Sequence, residues 1–103
     1  MPRSKSYQED LIEALKDPLE AQEYLNAALE DGNSEVFLLA LRDVAQARLG
    51  GIKQLADETK LNRESLYRML SEKGNPELTS LNAILSTLGF RLAIERTVKE
   101  VEV

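Results

Sequence analysis

Apolar residues recur at helical spacing along most of the chain and predict a series of helices. The first helix is predicted at Tyr7–Leu15, and the second starts at Pro18, behind the capping residue Asp17. Glu20 lies three positions after Asp17, so we expect a capping box in which the Glu20 side chain bonds back to the Asp17 amide. The turn at residues 31–33 contains a glycine, which favours the left-handed conformation that ends helices.

The third predicted helix is the most apolar segment of the chain. It begins at the cap Ser34, contains six consecutive apolar residues from Val36 to Leu41, and ends at the glycines 50 and 51. Six consecutive apolar residues cover more than one face of a helix. We therefore expect this helix to be buried on several sides and to lie at the centre of the fold.

Three shorter helices follow, at Ile52–Thr59, Asn62–Ser71 and Leu78–Leu88, with a loop at residues 73–76. The residues expected to face inward on them are Leu55, Ala56, Leu66, Met69, Leu70, Leu81, Ile84, Leu85 and Leu88. Residues 91–99 depart from the helical spacing of the preceding segments. They include several β-branched residues, and apolar and polar side chains roughly alternate, which predicts a strand. A lone strand leaves its hydrogen-bonding edges unpaired, so it pairs with its copy in a second subunit or frays.

The fourth and fifth predicted helices are the segment most indicative of function. Leu55 and Ala56 face inward on one helix, Leu61 fills the turn, and Leu66 packs the second helix against the first. The small side chain of Ala56 permits the two helices to cross closely. This pattern is typical of a helix-turn-helix, whose second helix enters the major groove of DNA.

The exposed side of that second helix carries the candidate base contacts, which are Arg63, Glu64, Tyr67 and Arg68. Arginine bonds bidentately to guanine, and glutamate accepts from the amino group of cytosine. The candidate phosphate contacts are Lys53, Gln54 and Asn62. The alternative is a solvated helix face with a Glu64–Arg68 ion pair worth about 0.2–0.5 kcal/mol.

The charge distribution is compatible with this interpretation although the net charge is −5. Residues 1–50 hold five basic and ten acidic side chains, whereas residues 51–76 hold five basic and four acidic ones. The local field of one face determines phosphate contact, so the acidic N-terminal half lowers non-specific affinity without excluding DNA binding.

Composition excludes several other functions. The 103 residues include no histidine and no cysteine, so imidazole bases, thiolates and their metal sites are absent, and we expect neither an enzyme nor a cofactor. The N-terminus has no apolar signal segment, and no apolar run is long enough to span a membrane. We therefore expect a cytoplasmic protein with no membrane partner.

Two sets of residues carry a resemblance to known families. Leu55-Ala56 followed by residues 61–68 resembles the helix-turn-helix of phage Cro and lambda-repressor-like regulators. The motif at residues 17–29, together with Leu88-Gly89 and the three residues after it, makes the chain similar to addiction module antidote proteins, akin to HigA-type antitoxins. The turn departs from the Cro pattern, since Lys60 stands where glycine is usual and must adopt left-handed dihedrals or reshape the turn.

The resemblance implies an all-α fold, a Cro/lambda-repressor-like bundle with an N-terminal helical extension (1–33), a DNA-binding domain (34–90) and a C-terminal strand or tail (91–103). It implies an antitoxin of a type II toxin–antitoxin module, a homodimer that represses its own operon and binds a small basic RelE/ParE-like toxin. The N-terminal helices either meet this toxin or only cover the central helix. The strand is expected at the dimer seam, with strand addition to the toxin as the alternative.

Two other functions remain open at this level. One is a transcription regulator without a toxin partner, which the absence of a small basic toxin gene beside this gene would indicate. The other is a protein-interaction module that has lost DNA binding, which the acidic net charge favours and the two arginines of the fifth helix oppose.

Overall fold

The computed structural model describes residues 5–71 and 73–97, and of Lys5 only the backbone. These residues form the helices α1 Lys5–Ala14, α2 Pro18–Asp31, α3 Ser34–Leu49, α4 Ile52–Thr59, α5 Arg63–Met69 and α6 Leu78–Thr87. The six predicted helices are confirmed to within a few residues at each end. Over the described ranges, no helix is both long and apolar enough to cross a lipid bilayer.

The start of α2 confirms the predicted cap but not the capping box. The Asp17 carboxylate accepts from the Leu19 amide at 2.8 Å and from the Glu20 amide at 3.4 Å. The Asp17 amide instead donates to the Ala14 carbonyl at 3.2 Å, because the preceding turn closes on α1. The bond from Asp17 N–H to the Glu20 side chain is therefore a wrong prediction, since that donor is already used.

The cap of α3 lies one residue earlier than the sequence predicts. Asn33, in extended backbone conformation, accepts from the Glu35 amide at 2.8 Å, and Ser34 is the first residue of the helix. Asparagine and serine both cap helices well. Asn33 takes the cap position because Gly32, directly before it, ends α2. At the other end Gly50 adopts a left-handed conformation with φ 100°, and its amide bonds to the carbonyls of Ala45 and Gln46.

Helix α3 lies at the centre of the fold, as predicted, and packs against α1, α2 and α4. Four of its six consecutive apolar residues are buried, while Val36 and Leu39 remain partly exposed. The core continues through the short helices, where Leu55, Leu66 and Ile84 are fully buried. Of the residues predicted to face inward, Met69 and Leu81 are only partly buried against this core.

The C-terminal segment does not form the predicted strand over the residues that the structure describes. Residues 91–97 have no regular secondary structure, and the predicted strand's last two residues, Val98 and Lys99, lie outside the described part. A strand is defined by hydrogen bonds to a neighbouring strand, and the regular elements described in this chain are all helices. Within the segment, Leu92 packs partly against the core.

Arg48 joins the end of α3 to two other parts of the chain. Its Nε donates to the Leu88 carbonyl at 3.1 Å, and its Nη1 donates to the Lys16 carbonyl at 3.2 Å. The guanidinium also lies 5.6 Å from the centre of the Phe90 ring. Because one planar group with several donors makes these contacts, Arg48 holds the α1–α2 connection and the end of α6 in place.

Candidate nucleic-acid interface

The connection between α4 and α5 is three residues long and is held by hydrogen bonds at its first turn. The Thr59 hydroxyl donates to the Leu55 carbonyl at 2.8 Å and accepts from the Leu61 amide at 3.2 Å. Leu61 packs partly against the core, which fits its predicted place in the turn. The orientation of α5 relative to α4 is therefore set by both polar and apolar contacts.

Lys60 adopts the left-handed conformation, which is one of the two possibilities that the sequence left open for this position. Its φ is 67° and its ψ is 14°, and it is the one non-glycine residue with positive φ among those described. Its amide bonds to the Ala56 carbonyl at 3.0 Å and so ends α4. A side chain in this conformation costs about 1–2 kcal/mol relative to a right-handed one.

We expect Lys60→Gly to stabilise the protein by about 0.5–1 kcal/mol, because relief of the left-handed strain exceeds the extra chain entropy of glycine. Thermal unfolding followed by circular dichroism measures the change. Lys53→Gly is the matched control, since the same exchange inside α4 costs about 1 kcal/mol of helix propensity. A loss of stability in Lys60→Gly would contradict the assignment of strain.

Helix α5 separates a buried side from an exposed charged side. Asn62 caps it by accepting from the Ser65 amide at 2.9 Å, and Leu66 is fully buried. The four predicted base-contact residues are all exposed, with the Tyr67 side chain at 52%; they are Arg63, Glu64, Tyr67 and Arg68. The structure thus brings them together on one short helix.

The two arginines of α5 are not engaged in intrahelical ion pairs. Arg68 Nη2 donates weakly to the Ser65 hydroxyl at 3.4 Å. The alternative expectation, a Glu64–Arg68 ion pair, is not met, and within the described ranges neither Arg63 nor Arg68 pairs with a carboxylate. Both guanidinium groups are therefore open to an external acceptor.

The predicted phosphate contacts lie at two helix starts. Lys53 and Gln54 are exposed in the first turn of α4, and Lys53 Nζ lies 3.9 Å from Asp57 Oδ2 in a solvent-exposed pair that contributes little. Asn62 uses its side-chain oxygen as the cap of α5. Its amide nitrogen remains a donor that an external oxygen can accept from.

Polar residues after α5 extend this surface beyond what the sequence predicted. An open groove beside α5 is lined by Asn62, Ser65, Arg68, Ser71, Lys73, Asn75 and Ser80, among others. Gly74 holds the loop against α5, because a Cβ there would overlap the Met69 carbonyl and lie 2.7 Å from the Arg68 oxygen. The cluster of turn residues predicts a loop, but its approach to α5 depends on packing.

A buried polar cluster below α1 and α2 was also missed by the sequence interpretation. Asp43 on α3 is 5% exposed and accepts from Tyr24 Oη at 2.7 Å and from Gln8 Nε2 at 3.1 Å. The helical spacing of Tyr24 in the sequence indicates a packing residue and gives no sign of this hydrogen bond. The available signal was an aspartate between Ala40 and Val44, on the side of α3 whose other residues are apolar.

Over the described residues, the structure has no group of three or more histidine, cysteine, aspartate or glutamate side chains placed to hold a metal ion. The site that the geometry does define is a surface of donors and charged groups on α4, α5 and the loop after α5. The regular elements of the described residues are all helices, and this surface lies mainly on one short exposed helix, α5.

The chain belongs to a family described as "probable addiction module antidote protein", whose model matches residues 5–96. It is also 34% identical over 88 residues to an uncharacterized protein of Haemophilus influenzae strain Rd, covering 85% of this chain and 89% of that relative. No solved structure matches significantly. Membership in this family indicates the role of an antidote, the antitoxin of a toxin–antitoxin pair, and implies a cognate toxin as partner.

Proposed function

We propose that this antidote protein is also a DNA-binding repressor, which binds the operator of its own operon as a homodimer and neutralises its toxin by direct contact. In this proposal α4 and α5 act as a Cro-like helix-turn-helix, and the chain is a binding protein rather than an enzyme. The observation that carries the proposal is the exposed side of α5, where two arginines lie without carboxylate partners among the described residues.

Direct base contact is the function best suited to α5. Arg63 and Arg68 would bond to guanine edges, Glu64 would accept from cytosine, and Tyr67 would pack against a base or sugar. An ordinary solvated helix would pair Glu64 with Arg68, and that pair is not formed. Leu66 fixes the other side of α5 in the core, so the charged side must face outward.

Phosphate contacts would position α5 over the major groove. Lys53, Gln54 and Asn62 supply donors at the two helix starts, and Lys73 and Asn75 add donors from the loop beside α5. Residues 51–76 carry a net charge of +1, while the excess acid lies in the first 50 residues. The acidic part can therefore face away from DNA when α5 is docked.

A dimer would give this small surface enough contacts for specificity. Two copies of α5 about 34 Å apart would read two half-sites of a pseudo-palindrome. Residues 34–90 would form the DNA-binding domain, and residues 91–103 would join the two subunits. The 1–33 extension would be available to a small basic RelE/ParE-like toxin.

Fluorescence anisotropy with a labelled duplex from the region upstream of this gene tests DNA binding. We expect the native duplex to bind more tightly than a scrambled one, and both affinities to fall as salt rises because phosphate contacts release counterions. Arg63→Ala and Arg68→Ala should each weaken specific binding by about 1–3 kcal/mol through lost base contacts.

Lys16→Ala is the matched control, since it removes one positive charge from an exposed site outside α4 and α5. It should leave the specificity ratio unchanged. Equal, weak binding of both duplexes, with no effect of the arginine substitutions, would make α4–α5 a scaffold and the chain a protein-interaction module.

A further inference from the structure

A second surface, separate from α5, lies between α2 and the C-terminal segment. It is an open groove of about 950 Å³ bounded by α2, the start of α3, the end of α6 and residues 89–95. Its large apolar lining residues are Leu25, Leu29, Phe37, Leu85, Phe90 and Leu92. Leu29 is 48% exposed although it is a leucine in a helix that packs on α3, so the groove presents an apolar side chain to solvent.

The charged residues in and beside this groove are mostly acidic, and the other polar side chains that line it, Gln22, Asn26 and Ser86, are neutral. Glu30 and Glu95 line it, with Arg91 as the one cation among its lining residues in the described chain. Three more exposed carboxylates on α2 lie outside the lining, at Glu20, Glu23 and Asp31. Along residues 5–71 and 73–97, none of these five carboxylates forms an ion pair.

Carboxylates without ion-pair partners beside an apolar groove favour a positively charged binding partner. Residues 1–50 carry a net charge of −5, and the same charge on a second copy of this chain would repel it from α2. A basic polypeptide gains attraction from the same field, and an apolar side chain on it would cover Leu29 and Phe90. The chemistry of the groove thus favours a cationic partner over a second copy of this chain, so the subunit contact proposed for residues 91–103 would use those residues of the segment that do not line the groove.

We infer that this groove is the docking site for a segment of the cognate toxin that carries basic side chains and an exposed apolar side chain. The inference rests on the proposed function, since it names the surface through which the antidote would hold its toxin. The docking site and the α5 surface use different residues, so a protein bound in the groove leaves the side chains of Arg63 and Arg68 available to DNA.

Isothermal titration calorimetry of the full chain against the purified protein encoded by the adjacent gene tests the docking site. Leu29→Arg places a cation at the groove edge and should weaken binding at least tenfold by repelling a basic segment. Glu30→Lys should weaken binding similarly, and the wild-type affinity should fall as salt rises.

Leu19→Arg is the matched control, because Leu19 is a 60% exposed leucine on the same helix that does not line the groove. It should change the affinity less than threefold. Unchanged thermal unfolding and operator binding would establish that Leu29→Arg remains folded.

The outcomes separate the two proposals. Wild-type binding that Leu29→Arg does not weaken, or that Leu19→Arg weakens equally, overturns the groove and leaves the toxin partnership intact. No binding by the wild-type chain overturns the proposed partnership with the adjacent gene product, and the groove assignment with it.

Discussion

Replacing Leu66 by alanine should lower the free energy of unfolding by about 2–5 kcal/mol. Leu66 is fully buried and attaches α5, a helix of seven residues, to the core. Helices this short are not stable in isolation, so α5 depends on this contact for its structure. Urea denaturation followed by circular dichroism measures the loss, and the same variant should lose specific DNA binding because the α5 surface is no longer held.

The neighbouring residue offers a control for Leu66→Ala. Tyr67 is 52% exposed on the opposite side of α5, so Tyr67→Ala should change the stability by only about 0.5 kcal/mol. Tyr67 is a proposed base contact, and its substitution should weaken DNA binding at nearly unchanged stability. Equal destabilisation by the two variants would mean that α5 is not attached through Leu66.

Replacing Asp43 by alanine should cost about 3 kcal/mol, since hydrogen bonds to a charged group are each worth about 1.5–3 kcal/mol. The Asp43 carboxylate accepts from residues of both α1 and α2, and its loss leaves the donors of Tyr24 and Gln8 part-buried without this acceptor. Urea denaturation of the full chain measures the cost. Loosened packing of α1 and α2 on α3 should appear as faster amide hydrogen exchange in those two helices.

Two further variants separate the buried cluster from a general effect of removing an aspartate. Tyr24→Phe keeps the ring and removes one donor, so it should cost roughly half as much as Asp43→Ala. Asp57→Ala removes an exposed carboxylate from α4 and should change the stability by about 0.5 kcal/mol or less. If Asp43→Ala is no worse than Asp57→Ala, the cluster does not stabilise the fold.

The six helices were predictable to within a few residues at each end because local signals determine them. Asp17 before Pro18, the apolar run in α3 and the paired glycines at 50 and 51 act through a few neighbouring residues. The resemblance to the Cro pattern left two possibilities for Lys60, a left-handed conformation or a reshaped turn, and the structure shows the left-handed one. The four exposed base-contact candidates of α5 were predictable from the helical spacing of the apolar residues, because they lie outside the buried side of the helix that carries Leu66.

Other features could not be predicted because they depend on residues far apart in sequence. Asp43 meets Gln8 from 35 positions away, and Arg48 meets Leu88 from 40 positions away. The expected strand at residues 91–99 requires a partner strand, which local propensity cannot supply.

The sequence by itself determined the six helices, their order and the charged character of α5, because hydrophobic period and capping act over one or two turns. Only the tertiary structure decided that α2 and the C-terminal segment border an open apolar groove, that Gly74 packs against the end of α5, and that Asp43 is buried below α1 and α2. These features arise where helices distant in sequence pack together, and their geometry follows from that packing rather than from local preference.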